Sequence, residues 1–222
     1  MMRKTTVAGF VSVMMAALVS WAATADAADI SLPTPNMKGG KPLMEALKDR
    51  QTNRSFSEKK LPAQVLSDLL WSAAGINRPD SGKRTIPSAR NLQIVEVYAV
   101  LPDGAYSYDA KANVLRAVTG GDLRKLTGRQ DFVASAPLCL VYVADQDKMK
   151  GASPDDQALY SGAETGFMVQ NAYLFCASAG LNTVVRAMVD KQALAKALNL
   201  PEQKRITLVQ TVGYPEGGST GR

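Results

Sequence analysis

The chain has 222 residues, with 26 Lys and Arg against 20 Asp and Glu and 46% hydrophobic residues, enough for one domain with a substantial core and too apolar for a disordered chain. It holds no histidine and two cysteines, which excludes His-dependent catalytic triads and His-ligated metals. The net charge of +6 is scattered, with no Lys/Arg-rich run, so there is no nucleic-acid footprint.

The first residues stand apart. "MMRK" gives a short basic start, "VAGFVSVMMAALVSWAA" an apolar stretch, and "ATADAAD" a small-residue exit containing Ala25-Asp26-Ala27. That order is a secretory signal peptide over residues 1–27, cut after Ala27. The alternative is an uncleaved membrane anchor, but the apolar run is short for a span of roughly 20 residues and the cleavage pattern follows at once. No Cys marks a lipoprotein and no Arg-Arg pair precedes the apolar run. The expectation is a soluble exported protein, periplasmic and off the membrane once cleaved.

The turn-rich "SLPTPNMKGGKP" (31–42) makes residues 28–41 read as a surface arm, with one domain from 42 to 222. Residues 43–50 predict a short helix with Leu43, Met44 and Leu47 on one face. The next helix starts behind Pro62 and ends at Gly75, turning Leu66, Leu69, Leu70 and Ala73 inward. "INRPDSGKRTIPSARN" is a long polar loop, of a length that usually carries function or disorder.

"LQIVEVYAVL" (92–101) predicts a strand, and "GAYSYD" with "NVLRAV" a hairpin bearing Tyr106 and Tyr108. A short helix around 122–130 precedes the buried strand "PLCLVYVAD" (137–145). "DDQALYSGAETGFMVQNAYLFCASAGL" is a long helix, apolar or small on nearly every face, which a lone domain of this size does not bury unaided. "DKQALAKALNL" is another helix, and "RITLVQTVGYP" a closing strand and turn. The sum is an α+β sandwich with a central sheet and helices on both faces. Cys139 and Cys176 fall in apolar runs; a disulfide and two buried thiols both fit, and neither thiol has an activating base.

Three clusters could carry chemistry. In the extended stretch "RQTNRSF", Arg50, Thr52 and Arg54 share a side, and two guanidinium forks with a hydroxyl suit a phosphate dianion. Two solvated loop arginines are the plainer reading. In "PSARNLQ", the Pro87-Ser88-Ala89 turn offers backbone N–H groups, and Asn91 and Gln93 offer amides able to read a heterocycle edge. A plain surface loop is the alternative. The third is "GYP" (213–215), by itself only a strand exit.

Taken in order, Arg-x-Thr-x-Arg-x-Phe, Pro-Ser-Ala-Arg-Asn-x-Gln, the long helix with Gln170-Asn171 ending "ASAGLNT", and "VGYP" resemble the nitroreductase-like flavoprotein family over residues 42–215. The "GKRT-PSA" form and the following hairpin look closest to the branch with azoline-oxidising peptide dehydrogenases. The resemblance implies a three-layer sandwich with a central mixed sheet, built as an intertwined homodimer with two FMN sites at the subunit interface. It implies that Arg50, Thr52 and Arg54 hold the FMN phosphate, and that Pro87, Ser88 and Ala89 lie along the isoalloxazine with Asn91 and Gln93 nearby. Backbone N–H groups around Arg186, Ala187 and Met188 would face flavin N5 and O4. The long helix would form the dimer centre, with Gly162 and Gly166 allowing close approach.

The family's usual basic residue after the last strand has one candidate here, Arg222, and Arg90 stands where a small residue is more usual. The activity implied is an FMN-dependent oxidoreductase. NADH or NADPH would give hydride to flavin N5, and an electron-poor acceptor such as a nitro compound or quinone would receive it, in ping-pong order. No side-chain acid or base is required. The alternatives are a flavin-dependent dehydrogenase oxidising its substrate, an exported FMN-binding protein without turnover, and a scaffold that has lost flavin.

Overall fold

A run of β-branched and apolar residues with no polar alternation marks a strand covered on both sides, and "LCLVYVAD" becomes the centre of the molecule. In the computed structural model, which describes residues 27–217, Leu138–Asp145 lies mid-sheet and seven of its eight residues are buried. Leu138, Leu140, Tyr142 and Ala144 face one core and Cys139, Val141 and Val143 the other, as a two-residue repeat requires. Each large side chain buried there contributes about 1.5–3 kcal/mol.

The elements follow in chain order: β1 (Ile30–Ser31), α1 (Leu43–Asp49), α2 (Ala63–Ala74), β2 (Ile76–Arg78), β3 (Lys83–Arg84), β4 (Val95–Leu101), β5 (Gly104–Asp109) and β6 (Val114–Gly120). Then come α3 (Phe132–Ser135), β7 (Leu138–Asp145), α4 (Pro154–Ala179), β8 (Asn182–Arg186), α5 (Lys191–Ala197) and β9 (Lys204–Gly213). The main sheet runs β1-β6-β5-β4-β7-β9-β8. Its α2 and α4 residues cover one face; α3 and α5 cover the other. This is the expected α+β sandwich, and each pairing within the sheet is antiparallel.

Several elements differ from the sequence reading. The helix expected near 122–130 is one 3₁₀ turn, Arg124–Thr127, ended by an extended Gly128. The polar loop after α2 contains the small β2–β3 hairpin. Residues 28–41 begin with β1, which pairs with β6 and so extends the sheet by an edge strand. Leu43, Met44 and Leu47 do not face inward. All three are exposed, and Ala46 is the buried residue of α1.

α4 is the longest element, 26 residues. The Ser153 side chain accepts from Asp156 N, Pro154 fills the first turn, and Gly180 at φ 68° closes the far end. Only part of its surface is buried. Met168, Ala172 and Cys176 pack on the sheet, while Leu159, Gly162, Gly166 and Phe167 form an open apolar face. Cys139 and Cys176 are free buried thiols in the two separate cores, so no disulfide joins them. Burial pushes the Cys176 thiol well up from its ordinary value. No helix among the described residues is long and apolar enough to cross a membrane.

Candidate functional site

α1 stops at Arg50, whose backbone turns extended (φ −60°, ψ 117°). The chain beyond it has no regular structure of its own until α2 and is held at two strand ends: Asn53 N donates to Thr183 O at 3.0 Å, and Ser57 N to Tyr214 O at 2.9 Å. The side chains then alternate. Gln51 and Asn53 line a cavity of about 440 Å³ shared with Lys48 and Asn182. Arg50 and Thr52 meet Tyr173 of α4, which lines the same cavity, with the Arg50 guanidinium 5.4 Å from the ring centroid and Thr52 Oγ1 2.9 Å from Tyr173 Oη. Arg54 is exposed beyond them. Among the described residues, neither arginine forms an ion pair.

The strand exit is tied to this segment. A Cβ on Gly213 would stand 2.6 Å from Pro137 Cδ, so only glycine lets the two chains pass. Lys59 lies over the Tyr214 ring at 4.5 Å, which puts a cation at the exit. Arg222, the residue offered for that place, lies outside the described residues, as do residues 1–26 of the signal segment.

The Pro87–Gln93 segment is wound tightly. Arg90, Asn91 and Gln93 all have positive φ (54°, 56° and 48°), each costing about 1–2 kcal/mol for a non-glycine residue. Local bonds hold the strain. Gln93 N donates to Ser88 Oγ at 2.7 Å, Gln93 Nε2 to Gly82 O at 2.9 Å and Asn91 Oδ1 at 3.1 Å, and Lys148 Nζ to Gln93 O at 2.9 Å. The Asn91 and Gln93 amides therefore bind one another across their own loop. Ser88 keeps its hydroxyl proton, and Pro87 is exposed beside the half-buried Ala89.

Ala187 and Met188 leave the end of β8 at the surface, Met188 being 67% exposed. Their N–H groups make no hydrogen bond within the described residues, whereas Val189 N donates to Ala187 O. The side chain of Arg186 fixes this exit. It is buried, donates to Thr127 O at 2.9 Å and Thr211 Oγ1 at 2.6 Å, and lies 5.6 Å from the Phe132 ring centroid. Burial lowers its pKa, against the opposing effect of the Cys139 thiol. Gly128 leaves the room for that guanidinium, since a Cβ there would collide with it.

Within one chain these parts are not gathered. Arg50 and Thr52 sit at Tyr173, while Ala89, Arg90 and Leu92 share a cavity with Ser153, Asp156 and Tyr160 at the start of α4. Tyr160 and Tyr173 are about 20 Å apart along the helix at 1.5 Å per residue. Sequence reasoning missed Tyr173 and the anchoring role of the Arg186 side chain. Tyr173 is one tyrosine in a helix read as uniformly apolar, and no spacing signal singles it out.

The fold is an α+β sandwich with one seven-stranded sheet between two helical layers. The nitroreductase family model matches residues 47–214, and the chain belongs to the nitroreductase family. A nitroreductase-like protein of Ralstonia eutropha JMP134 is 42% identical, with a TM-score of 0.82 over 86% of this chain and 91% of that one. Two further structures share the fold at lower identity. The Escherichia coli microcin synthetase McbBCD complex is 22% identical, with a TM-score of 0.66 over 94% of this chain and 85% of that one. A nitroreductase-like protein of Desulfovibrio desulfuricans in complex with FMN is 19% identical, with a TM-score of 0.57 over 83% and 92%.

Proposed function

We propose that the protein is an FMN-dependent oxidoreductase that takes hydride from NADH or NADPH and delivers it, in ping-pong order, to an electron-poor acceptor such as a nitro compound or quinone. The observation that carries this reading is the meeting of Arg50 and Thr52 on Tyr173, with no acidic partner among the described residues on either arginine of the segment. Tyr173 Oη accepts from Val185 N at 3.0 Å. Donation of its proton to Thr52 leaves the Thr52 O–H free for a phosphate oxygen. The Arg50 and Arg54 guanidinium groups supply charge-assisted hydrogen bonds to the same dianion.

FMN, when bound, supplies the hydride-accepting and hydride-donating centre. The chain's part is positioning and exclusion. Ala187 and Met188 offer N–H groups, unpaired among the described residues, for the flavin N5 and O4 edge, and the buried Arg186 holds them in place. The Pro87-Ser88-Ala89 turn offers a backbone face and the Ser88 hydroxyl for the isoalloxazine, on a loop whose strain is held by its own amides. No residue acts as acid or base in this reading.

A homodimer completes the site. Two copies of α4 running antiparallel across their open Leu159–Phe167 faces bring the start of one helix to the end of the other. That joins the loop at Tyr160 with the arginine segment at Tyr173, which one chain holds about 20 Å apart. On its N-terminal segment, the mature chain begins after Ala27 and works outside the cytoplasm, in the periplasm, with residues 28–41 as an arm before the domain of 42–222.

The test is an absorbance spectrum of the purified mature protein, followed by anaerobic addition of NADH or NADPH. Flavin bands near one per chain that bleach on addition are expected, with colour returning on a nitroarene or quinone. A colourless protein that takes up no added FMN overturns the reading.

A further inference from the structure

A cavity of about 530 Å³ opens beside the first half of α4, with Gly162 of the open helix face at its edge. Its polar lining consists of Lys191, Arg205, Gln146, Gln157, Ser161 and Thr207, and no carboxylate lines it. Neither cation is neutralised: among the described residues, Lys191 and Arg205 make no ion pair. The adjoining Asp190 carboxylate is committed to Ala193 N at 3.0 Å. Ser161 is 5% exposed, and its Oγ has no hydrogen-bond partner among the described residues. A buried hydroxyl with nothing to bond is costly in a folded chain, and one turned into a cavity is satisfied when a ligand enters. Thr207 differs, being spent on Tyr142 O and Thr165.

The cavity adjoins the exit of β8. Arg186 pairs with Val209, so Ala187 and Met188 leave the sheet two residues along β9 from Thr207, and Lys191 follows Met188 by three. We infer that this cavity receives the anionic group of the molecule that exchanges hydride at the site, a carboxylate or phosphate held by Lys191 and Arg205 with Ser161 as a neutral donor. The inference rests on the proposed oxidoreductase reading and gives it a substrate class: molecules that carry an oxyanion besides the group that exchanges hydride. Its volume suits a small aromatic acid or part of a nucleotide. Two cations with no internal acid favour such a group by Coulomb attraction, and Gln146 and Gln157 add hydrogen-bonding amides without charge.

The experiment is calorimetric titration of the protein as purified with 4-nitrobenzoate and with 4-nitrobenzyl alcohol, in wild type, Lys191→Ala, Arg205→Ala and Lys191→Arg. NADPH and NADH are titrated in parallel. Tighter binding of the acid than of the alcohol is expected, with the ratio of their affinities falling about tenfold in each alanine variant, the scale of one charge-assisted hydrogen bond, and recovering in Lys191→Arg. A ratio that falls for NADPH over NADH instead assigns the anion to the donor's phosphate. Acid and alcohol bound alike, with NADPH and NADH also bound alike in every variant, overturns the inference. Calorimetry reads the cavity whether or not flavin is present, so failure to bleach with donor counts against the oxidoreductase reading and leaves this result standing separately.

Discussion

Tyr173 Oη lies 2.9 Å from the Thr52 hydroxyl and accepts from Val185 N at 3.0 Å, so one phenol joins the segment after α1 to the sheet's edge strand. Tyr173→Phe keeps the ring beneath Arg50 and removes only this junction. The Val185 N–H then loses its partner in a partly buried setting, at up to about 1–3 kcal/mol of stability. A lowered urea midpoint is expected, with a smaller loss of FMN affinity than removal of Arg50 causes. An unchanged midpoint would show that water replaces the phenol without cost.

Arg50→Ala and Arg54→Ala should each weaken FMN binding by about 1.5–3 kcal/mol, the range for hydrogen bonds to a charged group. Titration of the flavin-free protein with FMN, followed by fluorescence quenching, reads both. Arg50 has more to lose, since its guanidinium also lies over the Tyr173 ring. Arg54 is exposed and tests whether a free loop arginine closes on the phosphate. Full affinity in both variants would remove the phosphate assignment.

The open face of α4 gives a third prediction. A Cβ on Gly162 or Gly166 meets nothing within 4 Å in the single chain, and Phe167 is 44% exposed beside them. Gly166→Arg or Phe167→Asp should therefore spare the fold and disrupt close helix pairing. Sedimentation should shift from dimer to monomer, with flavin released in the same step and the helical circular dichroism kept. A flavin-loaded monomer contradicts the interfacial site.

The strands and long helices were legible because their signals are local and repetitive. Residues 137–145 read as a buried strand from their nearly unbroken apolar run, and Pro62 and Gly75 bracketed α2 as caps do. The orientation of α1 was not legible. Leu43, Met44 and Leu47 carry the stronger apolar signal, yet Ala46 faces the core, because periodicity marks an apolar face without saying which surface covers it. In the site, the alternation of Arg50 and Thr52 against Gln51 and Asn53 followed from extended backbone. The roles of Asn91 and Gln93 did not, since composition cannot tell an amide offered to a ligand from one spent on its own loop. Arg186 was placed by its backbone, and its buried side chain emerged only from packing against Gly128, Phe132 and Thr211.

One buried and one half-buried phenol predict how the fold responds to alkali. Tyr142 is fully buried, bonds to Gln210 Oε1 at 2.6 Å, and is held by desolvation well above its ordinary value of 10.0; Tyr108, bonded to Asn113 Oδ1, is pushed up to about 12 for the same reason. Each folded-state pKa lies above the unfolded value, so the folded chain binds the proton more tightly. Their contribution to stability is complete below pH 10.0 and is lost as pH rises through the folded values, from about 10 toward 12 for Tyr108 and further for Tyr142. Urea midpoints should hold level up to about pH 9 and fall steadily beyond 10. Tyr108→Phe should flatten the fall between 10 and about 12 while costing a modest amount at neutral pH, where the Asn113 side chain keeps its bonds to Pro33 O and Ser67 Oγ. An alkaline slope identical in wild type and variant would assign the loss to other groups and leave Tyr108 without a part in it.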